Sequence, residues 1–172
     1  MSEPELLTDH HFYLFGYIVH QCAVIESGLN FYISDFLCVD TVVAGIITKP
    51  YTARQFRNVV SLLLALENRD QLNTELKHLL GEFNRISKFR NLIAHSRWKK
   101  GTRPNSIKPM SIEINDNKLK FKGMQEDEKD YTLQDIEEYG VSAEKLRSDF
   151  LAFYKRHKVS HFGNPALAEK DE

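Results

Sequence analysis

From Leu72 to Ile93 the chain sets Leu72, Leu76, Leu79, Phe83, Ile86, Arg90 and Ile93 at alternating steps of four and three residues. A strand would repeat every second residue, so this spacing predicts a helix, from Gln71 to about Trp98, with one buried face. One member of the seam is an arginine. Arginine keeps its charge under all ordinary conditions, and a partly buried one needs a carboxylate, carbonyls or a bound anion. A salt bridge that fixes helix packing and a clamp for a phosphate both meet that need.

The other segments are read in the same way. Leu14, Ile18, Cys22, Ile25, Leu29, Tyr32 and Phe36 make a first long helix from about Thr8 to Phe36. Ala23, Phe31, Ile33 and Leu37 add apolar cover on its other faces, which predicts several packing neighbours or a dimer seam. A short helix is expected from an Asp40 cap to about Thr48, stopped by Lys49-Pro50, and another from a Thr52 cap to about Asn68. After Trp98, Lys-Lys-Gly-Thr-Arg-Pro-Asn-Ser reads as a loop. The alternation about Asn115-Asp116-Asn117 predicts a β-hairpin over about 107–122, with Ile112, Ile114, Leu119 and Phe121 on its packed face. An acidic linker, Gln125 to Asp130, leads to Thr132-Leu-Gln-Asp135, a variant capping box opening a last helix lined by Ile136, Ala143, Leu146, Phe150 and Phe153. The expectation is an all-α up-and-down bundle, residues 1–156 as one domain, with a small β-hairpin before the last helix. Residues 157–172 read as a mobile tail.

With 172 residues, 42% of them apolar, the chain can bury a real core. Its longest apolar run, Val42 to Ile47, is too short to span a bilayer, and its start is acidic where a signal peptide would be basic. On one helix Cys22 and Cys38 would lie about 24 Å apart, so free thiols and a cytoplasmic location are expected. Lys+Arg number 23 and Asp+Glu 24, which excludes a uniformly basic coat. The charge is nonetheless segregated. Between Arg85 and Lys122 stand eleven basic residues and two acidic ones, a balance of +9, whereas Met124 to Asp149 carries −6. A focused positive region suits a phosphate-bearing ligand, and lysines guarding an edge strand would look the same.

His95 follows Arg90 by five residues, in Phe89-Arg90-Asn91-Leu92-Ile93-Ala94-His95-Ser96. Asn91 and His95 are one turn apart on one face, while Arg90 and His95 diverge by about 140°. A straight helix cannot aim both at one atom, whereas two copies across a dimer axis could. Arg-Asn-Leu-Ile-Ala-His resembles the Arg-(Asn/Asp/His)-x-x-x-His signature of the HEPN superfamily, compact helical domains of which many are metal-independent endoribonucleases working as homodimers in toxin–antitoxin and abortive-infection systems. Others of the family have lost activity and serve as binding modules. The resemblance implies Arg90, Asn91 and His95 as the active-site set, contributed by both protomers, and RNA and a cognate antitoxin protein as partners. Toxins of the family paired with a nucleotidyltransferase antitoxin carry a Tyr two places after the His. Arg97 stands there in this chain, which argues against that partner.

Around the motif, Arg97, Lys99, Lys100 and Arg103 are expected to hold RNA, with Trp98 stacking on a base or packing internally. Glu26, in a polar line with Asn30 and Ser34, could orient Arg90 or belong to a solvated stripe. His157 and His161 are one turn apart but lack a third ligand, so no metal and no cofactor are expected. His10-His11 has no partner legible in the sequence. The function expected is single-stranded RNA cleavage, and the alternative a non-catalytic module that binds RNA or protein.

Overall fold

The computed structural model describes residues 6–37, 39–49, 55, 58–59, 62, 70–115, 118–122 and 129–156. It is mostly helical, with a small antiparallel sheet. In chain order the elements are α1 (Asp9–Leu37), α2 (Thr41–Thr48), α3 (Asp70–His95), β1 (Arg97–Lys100), β2 (Ser106–Asn115), β3 (Lys118–Lys122), β4 (Tyr131–Thr132) and α4 (Leu133–Arg156). The helix expected between Thr52 and Asn68 lies outside the described residues, apart from helical positions at Gln55, Asn58, Val59 and Leu62. The 157–172 tail, residues 125–128 of the acidic linker and Cys38 lie outside them too.

Helix starts follow local chemistry. Asp40 accepts the Val42 N–H at 2.7 Å and caps α2 as its sequence suggests. At α4 the capping box forms: the Asp135 carboxylate accepts the Thr132 N–H at 2.8 Å, and the Asp135 N–H donates to the Thr132 hydroxyl at 3.2 Å. At α1 the Thr8 N–H donates to Nδ1 of His11 at 3.2 Å, so a histidine fills the place a Glu or Gln usually takes. His10 in turn meets Glu137 at 3.0 Å.

The chain forms two compact units, one of Met1–Cys22 with Phe83–Lys145, the other of Ala23–Glu82 with Leu146–Glu172. In the first, Leu14, Phe15, Ile18 and Cys22 of α1, Phe83, Ile86 and Phe89 of α3, and Ile136 and Ala143 of α4 are buried. Cys22 is a buried thiol. An aromatic cluster extends this core: Phe89 stacks on Tyr139 at 4.0 Å and leans on Tyr131 at 4.8 Å, and Phe15 stacks on Trp98 at 5.1 Å. In the second unit Ile25, Leu29, Tyr32 and Ile33 bury with Ala44, Leu76, Leu79, Leu80, Leu146, Phe150 and Phe153. There Tyr154 donates to Asp35 at 2.5 Å, and Arg156 pairs with Glu75.

The sheet is larger than the expected hairpin. β2 and β3 do pair, with Ile112 opposite Phe121 and Ile114 opposite Leu119, the four residues expected to share a face. β2 also pairs with β1, through Trp98↔Pro109 and Lys99↔Lys108, and with β4, through Ile107↔Tyr131. Arg97–Lys100 is therefore a strand, where the sequence reads as helix end and loop, and the preceding helix stops at His95. Four residues, three of them basic, are too short to show a period of two and poor in intrinsic strand preference. Pairing with β2 decides their conformation.

Candidate active site

Helix α3 carries Arg90, Asn91 and His95 to its last two turns. The helix stays regular to its end, with the Ser96 N–H still donating to the Leu92 carbonyl at 3.0 Å. Arg90 and His95 thus keep the divergence of about 140° that a straight helix imposes. Arg90 is half-buried on the core side and engaged by a non-covalent interaction, whereas Asn91 and His95 are exposed. Leu76, Leu79, Phe83 and Ile86 of the same seam are buried, which explains why Arg90, one step further, is drawn inward.

The exposed face holds one residue that the motif does not include. Lys88 is exposed and precedes Asn91 by three residues and His95 by seven, so the three stand within about 60° of one another on the helix surface. The Lys88 and His95 backbones lie about 10 Å apart along the axis. Asn84 lies four residues further back on the same stripe and is half-buried. The 4-3-4 spacing of Asn84, Lys88, Asn91 and His95 is present in the sequence, but the apolar seam on the opposite side dominates the pattern.

The basic residues divide into two groups. Arg97 and Lys100 are exposed and Lys99 half-buried on β1, directly after the motif. Others are occupied by the fold. Arg103 donates to the Asp130 backbone carbonyl at 2.5 Å and to the Asp135 carboxylate at 2.8 Å, which ties the β1–β2 loop to the start of α4. Lys108 is only 2% exposed and Arg85 sits over the Tyr139 ring at 5.2 Å. Trp98, half-buried, packs between Phe15 and the edge of Tyr131, so its ring is part of the core rather than a platform for a base. The side chains of Lys118, Lys120 and Lys122 lie outside the described side chains. Among the described side chains, Arg85, Arg103 and Lys108 are engaged by the fold, and Arg97, Lys99 and Lys100 stand on the strand after the motif.

Asp130 is the buried anchor that the linker reading misses. Its Oδ2 accepts the Thr102 N–H at 2.5 Å, the Thr102 hydroxyl at 2.6 Å, the Arg103 N–H at 2.9 Å and the Ser106 hydroxyl at 3.2 Å. The Thr102 hydroxyl above all, with the two backbone N–H groups and Ser106, holds the carboxyl down to about 2 against the opposing effect of burial. Gly101 approaches so closely that a Cβ there would collide with the Ser106 hydroxyl and the Asp130 carboxylate. Asn105 closes the loop at φ 54, a left-handed conformation that asparagine tolerates well. Together these contacts fix the strand that follows His95.

Glu26 is exposed, in the second unit. Its expected companions have structural roles: Asn30 accepts the Thr48 hydroxyl at 2.6 Å, and the Ser34 hydroxyl donates to the Val39 carbonyl at 2.5 Å. Among the described residues no three His, Cys, Asp or Glu side chains converge as a metal site, and no helix is long and apolar enough to cross a membrane. Compared with known proteins, the chain matches no family model, no curated protein and no solved structure.

Proposed function

We propose that the chain is a metal-independent endoribonuclease of HEPN type, acting as a homodimer in a toxin–antitoxin or phage-defence role. The observation that carries this reading is the end of α3: a half-buried Arg90, with Asn91 and His95 exposed one turn apart, next to a strand bearing Arg97, Lys99 and Lys100. Cleavage without metal proceeds by attack of the 2′-OH on the adjacent phosphorus. A P–O bond forms, the bond to the 5′-oxygen breaks, and a 2′,3′-cyclic phosphate remains. One imidazole takes the 2′ proton or supplies the proton for the 5′-oxygen, because histidine titrates near neutrality and serves as base or acid. A guanidinium holds the two non-bridging oxygens and stabilises their growing charge. Asn91 positions the phosphate. Since Arg90 and His95 diverge on one helix, the working set combines residues of both protomers. Arg97, Lys99, Lys100 and Lys88 hold the RNA backbone, while Arg103 and Trp98 are assigned to the fold.

A second reading rests on Arg90 being engaged within the chain. There it is a structural ion-pair partner, and the domain binds RNA or a protein without cleaving. Cleavage of single-stranded RNA in EDTA, compared with His95→Ala from the same preparation, separates the two. Loss of cleavage with that substitution, and cyclic phosphate ends in the wild type, support the enzyme. A folded wild type that binds RNA and leaves it intact supports the module.

A further inference from the structure

We propose that a cavity between α1 and α4, inside the second unit, binds a small monocarboxylate with a body of about six carbons, its carboxylate held by Arg147. The two helices lie side by side there, joined by the Tyr154–Asp35 hydrogen bond and by Tyr32 against Phe153, ring centroids 5.7 Å apart. Between them is a space of about 130 Å³, walled by Ile25, Gly28 and Leu29 of α1 and by Phe150 and Leu151 of α4. Arg147 lines it too. Its Nε is buried and, among the described residues, meets no hydrogen-bond acceptor. Gly28 and Leu151 are exposed and mark the side open to solvent, and a Cβ on Gly28 would meet nothing within 4 Å.

The lining selects the chemistry of the ligand. A cavity of ~150 Å³ lined by Leu, Ile and Phe takes a benzene ring, so this one suits a body of that size. A purely apolar ligand would leave the Arg147 donor without an acceptor. The guanidinium stays charged, and a buried donor of that kind costs stability until an anion satisfies it. A carboxylate does so with a single negative charge, whereas a phosphate dianion would bring more charge and hydration against walls of carbon. The orientation follows as well. Tyr154 stands two turns from Arg147 on the same face of α4, about 10 Å along the axis, and its hydroxyl already donates to the Asp35 carboxylate. That end repels an anion, so the carboxylate belongs at Arg147 and the apolar body towards Tyr154. This inference does not rest on the ribonuclease reading, for the cavity includes no residue of the motif.

Benzoate is the probe, and benzamide its neutral counterpart of the same shape. Titrating each into the full chain, followed by the NMR methyl signals of Val24, Leu29 and Leu151, reads affinity and place together. Benzoate should shift these methyls saturably and bind at least about tenfold more tightly than benzamide. Arg147→Met, which keeps the bulk and removes the charge, should abolish that preference. Gly28→Leu, whose side chain grows into open space, should weaken both probes about tenfold by filling the room the ring takes. Circular dichroism checks that each variant folds, and if Gly28→Leu does not, Arg147→Met decides. No saturable shift up to about 10 mM benzoate overturns the proposal. Equal binding of benzoate and benzamide also overturns it and leaves an apolar cavity only. So does an undiminished preference for benzoate in folded Arg147→Met.

Discussion

At the scale of single residues, the end of α3 and the Asp130 cluster make opposite predictions. His95→Ala and Arg90→Ala should lower cleavage by about 10²–10⁴-fold, the range for removing a general acid–base group, with unfolding midpoints close to the wild type for His95→Ala. A large loss of stability in Arg90→Ala with cleavage intact would return Arg90 to a purely structural role. Asp130→Ala, by contrast, should leave the chemistry in place and cost about 3 kcal/mol of stability, since four donors lose a charged acceptor. The pH dependence follows from the direction of its shift. The carboxyl is held at about 2 in the folded chain against an ordinary 3.8, so its stabilisation is present above about pH 4 and is lost as the pH falls towards 2. Urea titrations between pH 5 and pH 2 should show a fall in stability that Asp130→Ala flattens.

At the scale of elements, the first turn of α1 and the strand β1 give tests of their own. His11 accepts the Thr8 N–H through Nδ1, which requires that nitrogen to be unprotonated. Burial first, and His10 second, push the His11 pKa below its ordinary value. The folded state therefore holds fewer protons, and the stability from this cap is present above about pH 6.5 and declines as the pH falls through the lowered value. Thermal melts from pH 7.5 to 5 should show the decline, and His11→Gln, which keeps an acceptor and does not titrate, should weaken it. Along β1, alternate residues should behave differently. Trp98→Ala should destabilise by about 2–4 kcal/mol through loss of aromatic packing. Arg97→Ala, and Lys88→Ala on α3, should change stability by less than ~0.5 kcal/mol. Each should lower RNA affinity and reduce the slope of log affinity against log salt by about 0.7, the value for one phosphate contact on a single strand. Unchanged salt slopes in both variants would remove these residues from the RNA path.

At the scale of the whole molecule, the proposed two-protomer site ties catalysis to association. If the working site combines two protomers, activity per chain should fall on dilution below the dimer dissociation constant. The melting temperature of the wild type should rise with protein concentration, since association stabilises only the folded chain. A specific activity independent of concentration through the monomer–dimer transition would place a complete site on one chain. It would then require a rearrangement of the α3 end to bring Arg90 and His95 together.

The described helices α1 to α4 and their starts were legible in the sequence because they rest on residues within a turn of one another. The seam through Leu76, Leu79, Phe83 and Ile86, the Asp40 cap, the Thr132–Asp135 box and the β2–β3 pairing all follow from spacings of two to four residues or from a tight turn. The half-buried placement of Arg90 came from the same periodicity. What the tertiary structure decided was the use of each polar and aromatic side chain. From the sequence Arg103 reads as an RNA-binding residue, Lys108 as part of the basic stretch, and Trp98 as a helix-end aromatic that stacks on a base or packs. The partners of Arg103 and Trp98 stand far off in the chain: Asp130 lies 27 residues from Arg103, and Phe15 packs on Trp98 from the first helix. The strand β1 shares this cause, for its conformation comes from pairing with β2 and not from its own four residues. A charge count adds every lysine and arginine alike, whereas among the described residues the folded chain engages Arg103 and Lys108 and leaves Lys88, Arg97 and Lys100 exposed on the helix and strand that carry and follow the motif.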